Sequence, residues 1–174
     1  MAITLYDAAA RTYLQILPAL GGVLEKARAH EADAGRDPEA LVEARLCDDQ
    51  WPLRSQVIAC VHHARGAIAG VKGGVFRPPE WDAKLDYAGL QKLVSDAVAE
   101  LSALTPDEVN ALEDKDLVFE LGPRQMPFRG GDFLLSFSLP NFYFHATTAY
   151  DILRHKGAPL GKRDFMGALR MKQG

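Results

Sequence analysis

Leu139–Phe165 reads LPNFYFHATTAYDILRHKGAPLGKRDF, and this stretch decides the fold. Asn141, His145, Thr148 and Ile152 recur at i, i+4, i+7 and i+11, which lines them up on one face of a helix. Gly157 stops that helix, with Pro159 close behind. Upstream, FLLSFSL repeats apolar residues at Phe133/Phe137 and Leu135/Leu139, so the same helix extends back. The reading is one helix from Asp132 to Lys156, opened by Gly130-Gly131-Asp132 and kinked at Pro140, whose ring cannot donate a backbone hydrogen bond; the alternative is a helix that starts only at Pro140, with FLLSFSL extended before it.

Three further helical patterns precede it. Leu5, Ala9, Tyr13, Ile16, Leu20, Val23, Leu24 and Ala27 carry a helix from Thr4 to Ala34. Thr4 and Asp7 form its cap, and Pro18 should kink or split it. Leu53, Val57, Val61, Ala64 and Ile68 define a second helix from Pro52 to Gly70. The third, Tyr87 to Leu104, has the clearest period, through Leu90, Leu93, Val94, Ala97, Val98 and Leu101. Pro38–Arg45 and Thr105–Glu108 read as short helical turns. Leu117–Leu121 and Gln125–Phe128 flank Gly122-Pro123 and predict a small hairpin. The whole, residues 1–174, reads as a single all-α domain: an up-and-down four-helix bundle with long connections. Those connections can fold over one end of the bundle and rim a pocket.

Composition excludes several functions. The chain is 48% hydrophobic and 25% charged, with a formal net charge of -3 and a pI of about 5.9. No broad basic surface is encoded, so nucleic acid is not expected as a partner. No apolar run reaches membrane-spanning length, and charges enter too early in MAITLYDAAARTYLQ for a signal peptide, so a cytoplasmic protein is expected. Cys47 and Cys60 match neither a zinc knuckle nor a redox pair, and read as small apolar residues in a reducing compartment.

His145 is the candidate centre of chemistry. A His four residues from a second ligand is a common helical metal site, but here the second residue is Asn141, a poor transition-metal ligand. Taken alone, the pattern predicts a buried histidine satisfied by Asn141, Thr148 or a facing helix. Phe142, Tyr143 and Phe144 read as packing rather than as an aromatic cage. Asp48 and Asp49 read as caps of the second helix; alternatively, one carboxylate points into the mouth of the bundle, which Trp51 could cover. His62 reads as half-exposed, and His30 and His155 as helix-end surface groups. The basic residues from Arg154 to Lys172 read as helix-end charge and a solvated tail. No P-loop, dinucleotide fingerprint or nucleophile elbow is present.

The run HATTAYDILRHKGAPLG resembles the last helix of the DinB/YfiT-like bundle superfamily, and PNFYFHATTAYDILRHKG…GKRDF resembles a bacterial branch of it with no assigned function. Those relatives carry a His-x-x-x-His pair, then Leu-Arg and a Gly-x-Pro stop; His145 stands nine residues before Arg154, as their final metal-binding His does. The resemblance implies three ligand places, which in this chain read Gln56, Asn141 and His145: one imidazole and two amides. It therefore implies a degenerate pocket of Gln56, Asn141, His145 and Thr148, with no metal and no cofactor. Such a pocket would bind a small ligand or a protein partner. The alternative is a DinB-like metal-dependent hydrolase or thiol transferase using His145, with Cys60, His63 and His145 as a rescuing ligand set. A homodimer is expected from the apolar excess of FLLSFSLPNFYF and from the resemblance.

Overall fold

A computed structural model of the chain describes residues 2–172. Its first rod begins at Thr4, whose hydroxyl accepts from the Asp7 amide while the Asp7 carboxylate accepts from the Thr4 hydroxyl. A π-helical turn, Tyr6–Ala10, leads into α1, Arg11–Asp33. Helix α1 is not split at Pro18; tertiary burial of Tyr13, Leu17, Leu20 and Leu24 holds it together across the one missing donor.

The second rod is α2, Leu53–Val61, a π-helical turn at His62–Gly66, and α3, Ala67–Gly73. It runs past Gly70 and ends where Gly74 takes a φ of 80°, a left-handed conformation that a side chain would strain. Asp48 and Asp49 do not cap it: Pro52 occupies the N-cap, and the start of α2 is anchored instead by backbone bonds from Leu53 to Ala44 and from Arg54 to Val42. The third rod is α4, Tyr87–Ser102, capped by Asp86 through the Gly89 amide. Helix α5, Pro106–Asn110, follows behind a Thr105/Glu108 capping box.

The fourth rod is unbroken over residues 130–155. It comprises α6 (Gly130–Asp132), a π-helical stretch (Phe133–Ser138) and α7 (Leu139–His155). The wide turns end just before Pro140, so the ladder is re-registered where the proline cannot donate. Helix α1 packs on α4 and α7, and α2 packs on the same two. Their apolar stripes share one buried cluster.

Sheet structure is larger than the hairpin read from the sequence. Strand β2, Asp116–Leu121, pairs antiparallel with β3, Arg124–Arg129, across a tight turn with Gly122 at a φ of 58°. A third strand, β1 (Val75–Phe76), pairs parallel with β2. Two residues carry too little period for detection, and pairing with a distant strand is a tertiary event. Pro127 lies on β3, an edge strand that tolerates a missing donor. Phe76, Phe119, Phe133 and Phe137 pack where the sheet meets the fourth rod, with ring centroids 4.9–5.6 Å apart.

The C-terminal segment is not a solvated tail. Helix α8, Lys162–Met166, packs on α1 through a Lys26–Asp164 ion pair and a Gln15 side-chain bond to the Met166 carbonyl. Phe165 meets Tyr150 edge-on. Apolar Phe165, set just after Lys162, Arg163 and Asp164, supplies the packing that the basic composition hid. Among the described residues, no helix is long and apolar enough to cross a membrane.

Candidate functional site

The site grows from the first turn of α2. Gln56 lies one turn past the Pro52 cap, and its side chain folds back so that Nε2 donates to the Trp51 carbonyl at 3.0 Å. That bond orients the amide, leaving Oε1 as an acceptor pointed at α7. His145 Nδ1 meets it at 2.8 Å, so the proton of this neutral imidazole resides on Nδ1. The ring's other nitrogen, Nε2, keeps its lone pair, with no hydrogen-bond partner among the described residues. Burial holds the His145 ring neutral by lowering its pKa from 6.5 to about 4.

Asn141 stands one turn before His145 and spends its amide donor on the Phe137 carbonyl at 2.7 Å. Its Oδ1 remains an acceptor. Gln56, Asn141 and His145 line one cavity of about 340 Å³ together with Asp49, Gln50, Trp51 and Phe144. Thr148 does not line it: its hydroxyl donates to the Phe144 carbonyl, a common use of a helical threonine.

Aromatic rings frame the mouth. Trp51 lies parallel to His145, with centroids 5.9 Å apart and planes at 5°. Trp81, from the loop after β1, meets Trp51 edge-on at 4.8 Å, and Phe144 meets His145 edge-on at 5.2 Å. Trp51, Trp81 and Phe144 are 50%, 46% and 58% exposed. The spacing of α7 marked His145, but Trp81 and Phe144 were invisible as rim residues. Loop placement decides Trp81, and Phe144 faces outward only because its neighbours Phe142 and His145 face in.

On the inner side, His63 lies near-parallel to His145 at 5.8 Å and 13°. Phe76 and Phe137 are each 5.6 Å from it. His63 Nδ1 is buried with no hydrogen-bond partner among the described residues, and burial, then the nearby His145, lower its pKa to about 3. His62, expected to be a simple half-exposed residue, is half-buried and donates Nε2 to the Arg77 carbonyl at 2.7 Å. Cys60 is enclosed in the apolar core, where burial pushes its thiol pKa up. No group of three His, Cys, Asp or Glu side chains that could hold a metal occurs among the described residues, so Cys60, His63 and His145 do not assemble as a ligand set.

The family described as a domain of unknown function, DUF1993, matches residues 5–166. The chain belongs to the DUF1993 family. This family member is similar to a DinB family member protein from Shewanella denitrificans, known as a crystal structure. The two are 27% identical over 98% of this chain and 96% of that one, with a TM-score of 0.81. No curated protein matches the chain. The DUF1993 chain thus has a DinB-like, helix-dominated fold carrying a small mixed sheet.

The metal implied by the DinB-like fold does not fit this donor set. Two of the three places that the resemblance implies are amides, and one N–H of each is given to a backbone carbonyl. Gln56 Oε1 is engaged with the very imidazole that would be a co-ligand.

Proposed function

We propose that this DUF1993 protein is a single-domain, up-and-down four-helix bundle whose pocket binds a small ligand without a transition metal. One observation carries the reading: the Gln56–His145 hydrogen bond at 2.8 Å, with Gln56 itself oriented by the Trp51 carbonyl. A ligand place that holds the imidazole as a hydrogen-bond donor is built for a polar pocket, not for zinc or nickel. The alternative, a metal-dependent hydrolase or thiol transferase working through His145, draws on the open Nε2 lone pair of that ring.

Metal analysis of protein purified without a His tag decides between them. The expected outcome is far less than one transition metal per chain, unchanged in His145→Ala. The double variant Gln56→His/Asn141→His should gain a zinc site and a zinc-dependent rise in melting temperature. One metal per native chain, lost in His145→Ala, would revive the enzyme.

We also propose a cytoplasmic homodimer. Its support is the exposed apolar surface of Leu135 and Tyr143 on the fourth rod, beyond what the core uses. Light scattering near twice 19.1 kDa is the expected result; a monomer mass removes the dimer.

A further inference from the structure

We propose that the pocket's ligand is a small protonated amine, seated with its N–H groups on Asp49, Asn141 and His145 and its alkyl part between Trp51 and Phe144. This rests on the metal-free reading of the pocket and names the ligand class that its chemistry selects.

The argument is an inventory of donors and acceptors. Gln56 Nε2 gives one N–H to the Trp51 carbonyl and Asn141 Nδ2 gives one to the Phe137 carbonyl, so each amide keeps a single further N–H. Because both partners are carbonyls, the amide orientations are determined rather than interchangeable. The His145 proton is held on Nδ1 by Gln56 Oε1. The acceptors left on the lining residues are the Nε2 lone pair of His145, Oδ1 of Asn141 and the carboxylate of Asp49. Gln50 adds one amide, whose Oε1 accepts weakly from Leu46 at 3.4 Å and whose NH2 carries two donors.

No Lys or Arg lines the cavity, and one carboxylate does. The lining therefore carries one negative charge and no positive one, which disfavours a carboxylate or phosphate ligand and favours a cation that can give N–H groups to these acceptors. The walls add the apolar half. Trp51 lies parallel to the His145 ring and Phe144 stands edge-on to it, both exposed to incoming solute. Exposed aromatic faces beside a carboxylate attract organic cations through the ring quadrupole and cover their methylenes. Trp81 buttresses Trp51 edge-on at 4.8 Å, so the indole wall is held in place before ligand arrives. A cavity of about 340 Å³ admits a short alkylamine and is too small for a long peptide segment.

Titration of the untagged native protein at pH 7.5, followed by tryptophan fluorescence and calorimetry, tests this. The probes are n-butylammonium, tetramethylammonium and butyrate at matched ionic strength. Saturable n-butylammonium binding is expected, with tetramethylammonium, which has no N–H, at least tenfold weaker and butyrate undetectable. Asp49→Asn and Phe144→Ala, both at exposed positions that leave the fold intact, should each weaken n-butylammonium at least fivefold. No saturable amine binding, or binding that is indifferent to Asp49→Asn, overturns the inference. Equal binding of tetramethylammonium overturns the donor assignment. If the amine fails while metal stays far below one per chain, the metal-free pocket stands and only its ligand class falls. Stoichiometric metal on His145 overturns both, because the metal would occupy Nε2.

Discussion

His145 and His63 are near-parallel imidazoles 5.8 Å apart, yet they live in opposite chemistries. His145 has a polar partner, Gln56, and belongs to a cavity rimmed by exposed rings. His63 has a buried nitrogen with no partner and sits against the phenyl cluster that joins the sheet to the fourth rod. Two identical side chains on facing helices are thus separated into a site group and a packing group by their neighbours. The aromatic rings divide in the same way: Phe133 is fully buried on the sheet side, while Phe144 on the cavity side is 58% exposed. A residue's type states what it can do, and its partners decide which of those things it does.

That contrast can be broken at several strengths. The largest effect is expected from Phe133→Ala, which empties a packed interior site and should cost about 3–5 kcal/mol in denaturant unfolding. Phe144→Ala should stay within about 0.5 kcal/mol, since the ring is already at the surface. Equal losses at the two positions would erase the distinction between interior and rim.

Acid should act next. Both imidazoles have folded pKa values, about 3 and about 4, below the ordinary 6.5. The unfolded chain therefore binds more protons below pH 6.5, and the stabilisation present above that pH is lost as pH falls toward 4. With up to two protons involved, the slope of unfolding free energy should reach about 2.7 kcal/mol per pH unit between pH 6 and 5. His63→Phe should remove about half of that slope. A melting temperature flat from pH 7 to 5 would mean that both rings protonate freely in the fold.

Single removals sharpen the comparison further. His145→Ala should destabilise by about 1–3 kcal/mol, because Gln56 Oε1 is left buried without its donor. His63→Phe at neutral pH should be neutral or stabilise by up to about 1 kcal/mol, since it replaces an unpaired buried nitrogen by an apolar edge. Were His63→Phe the more damaging of the two, His63 would have a polar role that its surroundings do not display.

By itself, the sequence determined the four rods. Their apolar stripes and the Gly157 stop are local signals, each acting within a few residues of chain. The i, i+4 spacing of Asn141 and His145 was legible for the same reason, as was the hairpin around Gly122-Pro123. Tertiary structure alone decided the rest. β1 exists because Val75 and Phe76 meet Val118 and Phe119 more than 40 residues away. The tail became α8 because Phe165 found Tyr150. Asp49 became pocket lining rather than a cap because Pro52 and the backbone of Val42 and Ala44 set the start of α2. Thr148, on the right face by spacing, turned to its own backbone instead. Periodicity fixes which face of a helix turns inward, but the partner that a polar group meets there depends on side chains brought from distant segments, and no local pattern encodes that pairing.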